Sequence, residues 1–371
     1  MVLNRVRFGD YINLIKIKCG VQGLTPNDVS GINKDKEFFE PSKQVGNDTS
    51  NYKIVPPSCF ACNIMHVGRD VVLPIALNNS GKNKIVSPAY TVFEWRGNDV
   101  LLKEYLFMML KSSEMDRFFW FHCDSSVRDG MDWDAFCDIE VEVPPIDIQN
   151  KYVKIYESLL LNLNSYEKNL GDFKLVCDGY IENLRKNSNK EKLSNYIEEI
   201  NVKNDNETVK YAIGISMNGV FESERTAKKD SIKGCKIVEK NNILWASQTT
   251  CGIGLGAIGI YEKDIKAICA PTCTIIKTKN GLDPYYLLTW LRRKEFWRYA
   301  KFVGSGVVEK FDSVLMGEVE IPIPNQETQK CVRNMYIEMN KRIRFINEIK
   351  EKIQELCPIL IRGSINEANG R

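Results

Sequence analysis

Two long stretches of the chain carry apolar residues at alternating steps of three and four. In the first these are Tyr152, Ile155, Leu159, Leu163, Tyr166, Phe173, Val176 and Tyr180. In the second they are Val332, Met335, Met339, Ile343, Ile346, Ile349, Ile353, Leu356 and Leu360. Side chains so spaced share one face of a helix, and over several heptads that face narrows to a seam for one partner helix. The positions between are polar, as at Glu351, Lys352, Gln354 and Glu355. The pattern predicts two helices of about 35 to 40 residues, hence about 50 to 60 Å long at 1.5 Å per residue. A compact domain rarely needs that length, whereas a spacer does. Two matching seams in one chain pack most economically on each other, antiparallel. The seam is assigned to Tyr152, Ile155, Leu159, Tyr166, Phe173, Val176, Val332, Met335, Met339, Ile346, Ile353 and Leu356. Gly171 and Pro358 are each expected to bend or end their helix locally.

The stripes are in register at a shift of 180, and so is the sequence that leads into them. Ser125 falls on Ser305, Val127 on Val307, Asp132 on Asp312, Glu140 on Glu320, Pro144 on Pro324 and Gln149 on Gln329. In each copy a short β-like run ends in proline just before the helix. Further upstream the shift drifts to 185, and the elements still correspond. Phe8–Ile12 matches Leu193–Ile197, Gly31-Ile32 matches Gly214-Ile215, Phe39-Glu40 matches Phe221-Glu222, and Lys53–Val55 matches Lys236–Val238. Pro88 and Pro271 precede alternating runs that read as strands. Residues 105–118 and 286–299 read as one helical segment each. A duplicated half predicts two equivalent units, with insertions confined to loops.

Composition places few limits on this picture. The 371 residues are 43% hydrophobic and 27% charged, enough for two ordinary globular domains. No apolar run approaches the roughly 18 residues of a membrane span, and the N-terminus lacks a signal-peptide core, so the cytoplasm is the expected compartment. The 12 cysteines are spread thinly beside only two histidines. They are expected to be reduced and buried, with no metal site. A net charge of +3 neither demands nor excludes nucleic acid.

Three motifs suggest chemistry that their context does not support. Gly254–Gly259 spells GxGxxG but runs on into more strand-like sequence, so glycines at turns or close-packed strands account for it. Asp283-Pro284-Tyr285-Tyr286 is similar to an amino-methyltransferase motif, yet Asp followed by Pro is also how a helix is capped. His122 lies beside Cys123 and Asp124 with nothing converging on it and is assigned no role.

A globular α/β unit, a strand ending in proline with glutamine a few residues on, a long heptad helix, then the same again: this resembles the specificity (S) subunit of a Type I restriction-modification system. The resemblance spans the chain and is most specific at VEVPPIDIQ (141–149) and EIPIPNQETQ (320–329). Asn325 replaces the second proline in the later copy. It implies an α/β fold with a pseudo-two-fold internal repeat: two mixed α/β target recognition domains separated by a pair of long antiparallel coiled-coil helices. The domains are then 1–143 and 188–325, and the spacer helices 144–187 and 326–371. In that family the subunit is not an enzyme. Each domain reads one half of a bipartite, asymmetric double-stranded DNA site. The chain recruits two modification subunits that methylate adenine with S-adenosylmethionine, joined in the full complex by two motor-nuclease subunits. Adenine methylation within a duplex requires base flipping. The expected DNA-contacting residues are Asn63, His66, Arg69, Lys82, Lys84 and Arg128 in the first domain. In the second they are Arg225, Lys228, Lys229, Ser247, Gln248, Thr249, Thr250 and Lys310. Gln149 and Gln329 are expected to start the helices or to touch the modification subunit. The competing readings are a methyltransferase fused to its own recognition domains, for which no residues are left over, and a coiled-coil adaptor, which leaves the duplicated units unexplained. A specificity subunit for a related methyltransferase, or for a Type II-like system lacking a motor-nuclease, is a variant of the first reading.

Overall fold

The computed structural model describes residues 3–41, 45–123, 130–224, 232–246, 248–249, 257–303 and 309–370. The chain divides into two compact units, Met1–Glu167 with Ile346–Arg371, and Lys168–Phe345. Each unit holds a strand-rich head and one half of each long helix, so the division cuts both helices rather than falling at their ends.

In unit 1, β1 (Asn4–Arg7) leads through a 3-10 turn to β2 (Ile12–Leu14). There follow β3 (Gly31–Ile32), β4 (Phe38–Phe39), β5 (Lys53–Val55), β6 (Phe60–Cys62), α1 (Val67–Asp70), β7 (Ile75–Leu77), β8 (Lys84–Val86) and β9 (Thr91–Trp95). Helices α2 (Lys103–Leu110), α3 (Ser113–Phe121) and α4 (Trp133–Cys137), then β10 (Glu140–Val143), lead into α5 (Ile146–Asn187). The central sheet has the order β2-β9-β6-β7, and β3-β4, β5-β8 and β1-β10 form separate antiparallel ladders. Its buried side is largely aromatic: Phe60 stacks on Phe93 at 5.1 Å, Phe8 meets Trp95 at 6.0 Å, and Phe119 stacks on Phe136 at 5.9 Å.

Unit 2 repeats the plan. Its strands are β11 (Lys190–Lys192), β12 (Ile197–Glu199), β13 (Ile213–Ser216), β14 (Gly219–Glu222), β15 (Lys236–Val238), β16 (Ile243–Ala246), β17 (Gln248–Thr249), β18 (Ile258–Ile260), β19 (Ala267–Cys269) and β20 (Cys273–Thr278). Then come α6 (Pro284–Leu291), α7 (Lys294–Val303), β21 (Glu309–Lys310), α8 (Ser313–Gly317), β22 (Glu320–Pro322) and α9 (Gln326–Ala368). The sheet order β12-β20-β16-β18 copies that of unit 1, and β13-β14, β15-β19 and β11-β22 copy its three ladders. Even single contacts repeat. Lys53 Nζ donates to the Tyr90 carbonyl and Lys236 Nζ to that of Cys273, and the isolated bridges Lys18–Lys53 and Lys203–Lys236 correspond.

The repeated glycines have a steric cause. Gly31 pairs with Phe39 and Gly214 with Phe221. A Cβ at either glycine would fall 2.7 or 2.6 Å from the partner ring. The ring lies across the glycine, where a side chain would otherwise stand.

The helical segments expected at 105–118 and 286–299 are each two helices. Ser112 interrupts the first, accepting from the Met115 amide at 3.3 Å as the N-cap of α3; the corresponding break in the second falls between α6 and α7. In contrast, α5 and α9 continue unbroken past Gly171 and Pro358. Proline inside a helix costs about 3 kcal/mol. Anchors on both sides hold α9 in place: Cys357 Sγ bonds the Met108 carbonyl at 3.0 Å, and Tyr105 Oη bonds Ser364 Oγ at 2.6 Å.

Within each unit the halves of α5 and α9 pair antiparallel. In unit 1, Lys151 meets Glu367 at 2.7 Å and Glu167 meets Lys350 at 2.7 Å. In unit 2, Arg342 lies over the Phe173 ring at 4.7 Å, and Ile181 shares a core with Val332 and Tyr336. Beyond Ile148 and Gln149 in its first turn, the buried stripe of α5 runs through Val153, Tyr156, Leu163, Cys177 and Ile181, with Leu160, Leu170 and Leu184 half-buried. It lies one residue beyond much of the expected seam. Ile155, Tyr166 and Val176 are exposed, Val176 by 64%, while Tyr152, Leu159 and Phe173 are half-buried. In α9, Val332, Ile346 and Ile353 are buried and Met335 and Met339 half-buried. Leu356 is exposed, and its neighbour Cys357 occupies the interior position.

Candidate nucleic-acid interface

The expected DNA-contacting residues fall mainly on two loops per unit, and the backbone joins those loops. In unit 1 the chain leaves β6 at Asn63, whose side chain caps the following turn by accepting from the Met65 amide at 3.1 Å. The turn, which ends at His66, continues into α1, which carries Arg69 and packs against α3. Met131 then donates its amide to the Ile64 carbonyl at 2.9 Å. The segment after β6 and the segment before α4 are thereby held side by side. In unit 2 the equivalent segments form a short ladder, with Gln248 opposite Lys310 and Thr249 opposite Glu309. Trp245 Nε1 secures it by donating to the Phe311 carbonyl at 2.8 Å. Met131 and Phe311, at one place in the repeat, are both buried and anchor their loops.

Arg128, Arg225, Lys228, Lys229, Ser247 and Thr250 lie outside the described residues, as do Gly254 to Gly256 of the glycine motif. For His66, Arg69, Gln248, Thr249 and Lys310 the backbone is described and the side chain is not. Lys82 and Lys84 sit elsewhere, Lys84 on the β5-β8 ladder and Lys82 in the bend just before it. Lys82 is exposed, and Lys84 covers the Phe38 ring at 5.1 Å.

Gln149 and Gln329 are interior residues, not surface contacts. Gln149 accepts from the Leu102 amide at 2.9 Å and donates to the carbonyls of Val100 and Pro144 at 2.9 and 2.7 Å. Gln329 accepts from the Asp283 amide at 2.8 Å and donates to the Pro324 carbonyl at 2.9 Å. Each locks the first turn of a long helix to the loop that starts α2 or α6. Asp283 itself caps α6, accepting from the amides of Tyr285 and Tyr286 at 2.8 and 3.0 Å. The amino-methyltransferase look-alike is thus a helix start. His122 ends α3, its Nδ1 2.8 Å from the Phe118 carbonyl.

One interaction near the unit 1 loops was not legible in the sequence. Lys36 is buried, with a left-handed backbone, and pairs with Asp116 at 2.6 Å. Burial pushes its pKa below the usual lysine value, and Asp116 opposes that shift. Asp116 also accepts from the Leu73 amide at 3.0 Å. A charge pair at this depth fixes the β3-β4 turn against α3. It adds specificity of position more than net stability.

No family model and no curated protein sequence matches the chain. Solved structures do. The crystal structure of a Type-I restriction-modification system S subunit from M. genitalium is 11% identical, covers 98% of this chain and 96% of that one, and superposes with a TM-score of 0.57. A chain from a structure on complex assembly and conformational transition of the type I R-M system is 11% identical over 98% and 97%, with a TM-score of 0.46. The HsdS subunit from Thermoanaerobacter tengcongensis is 12% identical over the same shares, with a TM-score of 0.37. The first of these carries the fold assignment. The fold is that of a Type I restriction-modification S subunit.

Proposed function

We propose that this chain is the DNA-specificity subunit of a Type I restriction-modification complex and has no catalytic step of its own. Residues 1–143 and 188–325 each read one half of a bipartite, asymmetric site. The helices, residues 144–187 and 326–371, set the spacing and dock two adenine methyltransferase subunits, which carry S-adenosylmethionine. One observation supports this most. A single scaffold occurs twice, each copy locked to a long helix by a buried glutamine, while the loops after β6 and β16 differ in both sequence and form. Repeated scaffold with divergent loops is what two readers of different sequences require, as fixed geometry ties half-site spacing to protein structure. Polar and basic side chains on those loops suit base edges and phosphates. No helix among the described residues is long and apolar enough to cross a membrane.

The test is to replace residues 1–143 with a recognition domain of different loop sequence and map methylated adenines with the partner methyltransferase present. One half of the methylated sequence is expected to change and the other to remain. A change in both halves, or methylation by this chain without a partner, would refute the reading.

A further inference from the structure

Helix α3 carries four consecutive aromatics, Phe118 to Phe121, and only Phe119 faces the core, where it stacks on Phe136. The other three face solvent: Phe118 is 38%, Trp120 51% and Phe121 80% exposed. His122 lies between two of them, 4.3 Å from the Phe118 ring and 5.5 Å from that of Phe121. A soluble surface rarely gathers such a patch without a use. Its position narrows the use. Helix α3 packs against α1, on the segment that follows Asn63, and the chain returns from α3 to that same segment through the Met131–Ile64 hydrogen bond.

The charges there favour a polyanion. The acids of α1 and α3 are each paired: Glu114 with Arg362 at 2.9 Å, Asp116 with Lys36 at 2.6 Å and Asp70 with Lys34 at 3.8 Å. Arg117, one residue before the patch, is exposed and forms no ion pair among the described residues. Exposed aromatic faces beside an uncompensated arginine suit nucleobases and a phosphate backbone together.

We propose that Trp120 and Phe121 contact DNA bases of the first half-site by stacking or wedging against an exposed base face, with Arg117 on the adjoining phosphate. This rests on the specificity-subunit reading and adds to it a non-hydrogen-bonding contact that sequence-reading loops alone do not supply. Stacking is worth roughly a 5- to 150-fold change in affinity per base, and it releases no counterions. Phosphate contacts do, so each one lost lowers the salt dependence of binding.

The experiment uses the full chain with its methyltransferase partner and a duplex bearing the site found by methylation mapping. Binding is titrated across salt concentrations for wild type, W120A, F121A, F121Y and R117A. F121A and W120A are expected to weaken binding about 10- to 100-fold with an unchanged salt slope. F121Y is expected to retain wild-type affinity, and R117A to lower the slope by about one. Because Phe121 is largely exposed, F121A should leave the thermal melt unchanged, which separates a lost contact from lost folding. Wild-type affinity in F121A and W120A would overturn the proposal. So would loss of methyltransferase co-purification with affinity for DNA intact, which would make the patch a protein-docking surface. If the wild-type complex itself fails to bind the duplex, the specificity-subunit reading falls first, and this contact with it.

Discussion

The two heads share every principal ladder, yet they are finished differently. In unit 1 the chain after β6 coils into a short helix beside Met131; in unit 2 the same segment extends and pairs with β21. Unit 1 has a core of stacked phenylalanines, whereas unit 2 centres on Trp245, Tyr286 and many aliphatic residues. Tyr105 and Tyr286 hold one position in the repeat but bond different partners: Ser364 on α9 in unit 1, the Pro322 carbonyl of β22 in unit 2. What is kept is the set of strands and the glutamine lock. What varies is what the loops present.

Substitutions at matched positions test how deep that equivalence goes. The largest effect is expected at the glutamines. Gln149→Ala removes three buried hydrogen bonds and should cost roughly 3 kcal/mol at about 1 kcal/mol per bond. Gln329→Ala removes two and should cost roughly 2 kcal/mol. Urea unfolding of the two variants would measure both, and equal neutral effects would mean that the lock is not structural. Next come Tyr105→Phe and Tyr286→Phe, each expected to cost about 1 kcal/mol. Amide exchange should then speed up near residue 364 in the first and near β22 in the second; the same pattern in both would erase the distinction.

Smaller effects follow at the paired glycines. Gly31→Ala and Gly214→Ala should each cost about 1 kcal/mol, at the low end for overpacking, because Phe39 and Phe221 are half-exposed and can swing aside. The smallest effect belongs to unit 2 alone. Glu182 accepts from Arg185 and also faces Arg293, which holds its pKa down at about 2. A carboxylate with a lowered folded pKa contributes stability above its unfolded value near 4.5, and that contribution fades as pH falls toward 2. Wild type should therefore melt slightly above Glu182→Gln at pH 7, with the gap closing below pH 4 and shrinking in high salt. A gap that widens on acidification would reverse the assignment.

Much of the scaffold was legible because the repeat is legible. Gly31-Ile32 and Phe39 match Gly214-Ile215 and Phe221 in the sequence, and the structure adds that each set pairs as a hairpin, with the partner ring lying across the glycine in both copies. The helix face was harder. Tyr152, Ile155 and Leu159 form one apolar stripe, and Val153, Tyr156 and Leu160 form another beside it. The stripe that is buried is broken by Glu167 and Lys174, so pattern alone favoured the other. Ser112 is hidden as a cap because apolar spacing continues across it. The candidate interface was least legible. Its loops meet through backbone bonds such as Met131 to Ile64, which leave no side-chain signature. The FFWF run at 118–121 did carry a signal: a helix can bury one face of such a run, and the rest must project.

The spacing claim is tested most directly by inserting seven residues into α5 after Glu167 and seven into α9 after Phe345, then mapping methylated adenines with the partner methyltransferase. One heptad adds about 10 Å of helix and preserves the seam, or about three base pairs at 3.4 Å each. The predicted result is a site whose two halves are unchanged and whose gap has grown by about three base pairs. Methylation at the original gap would contradict it.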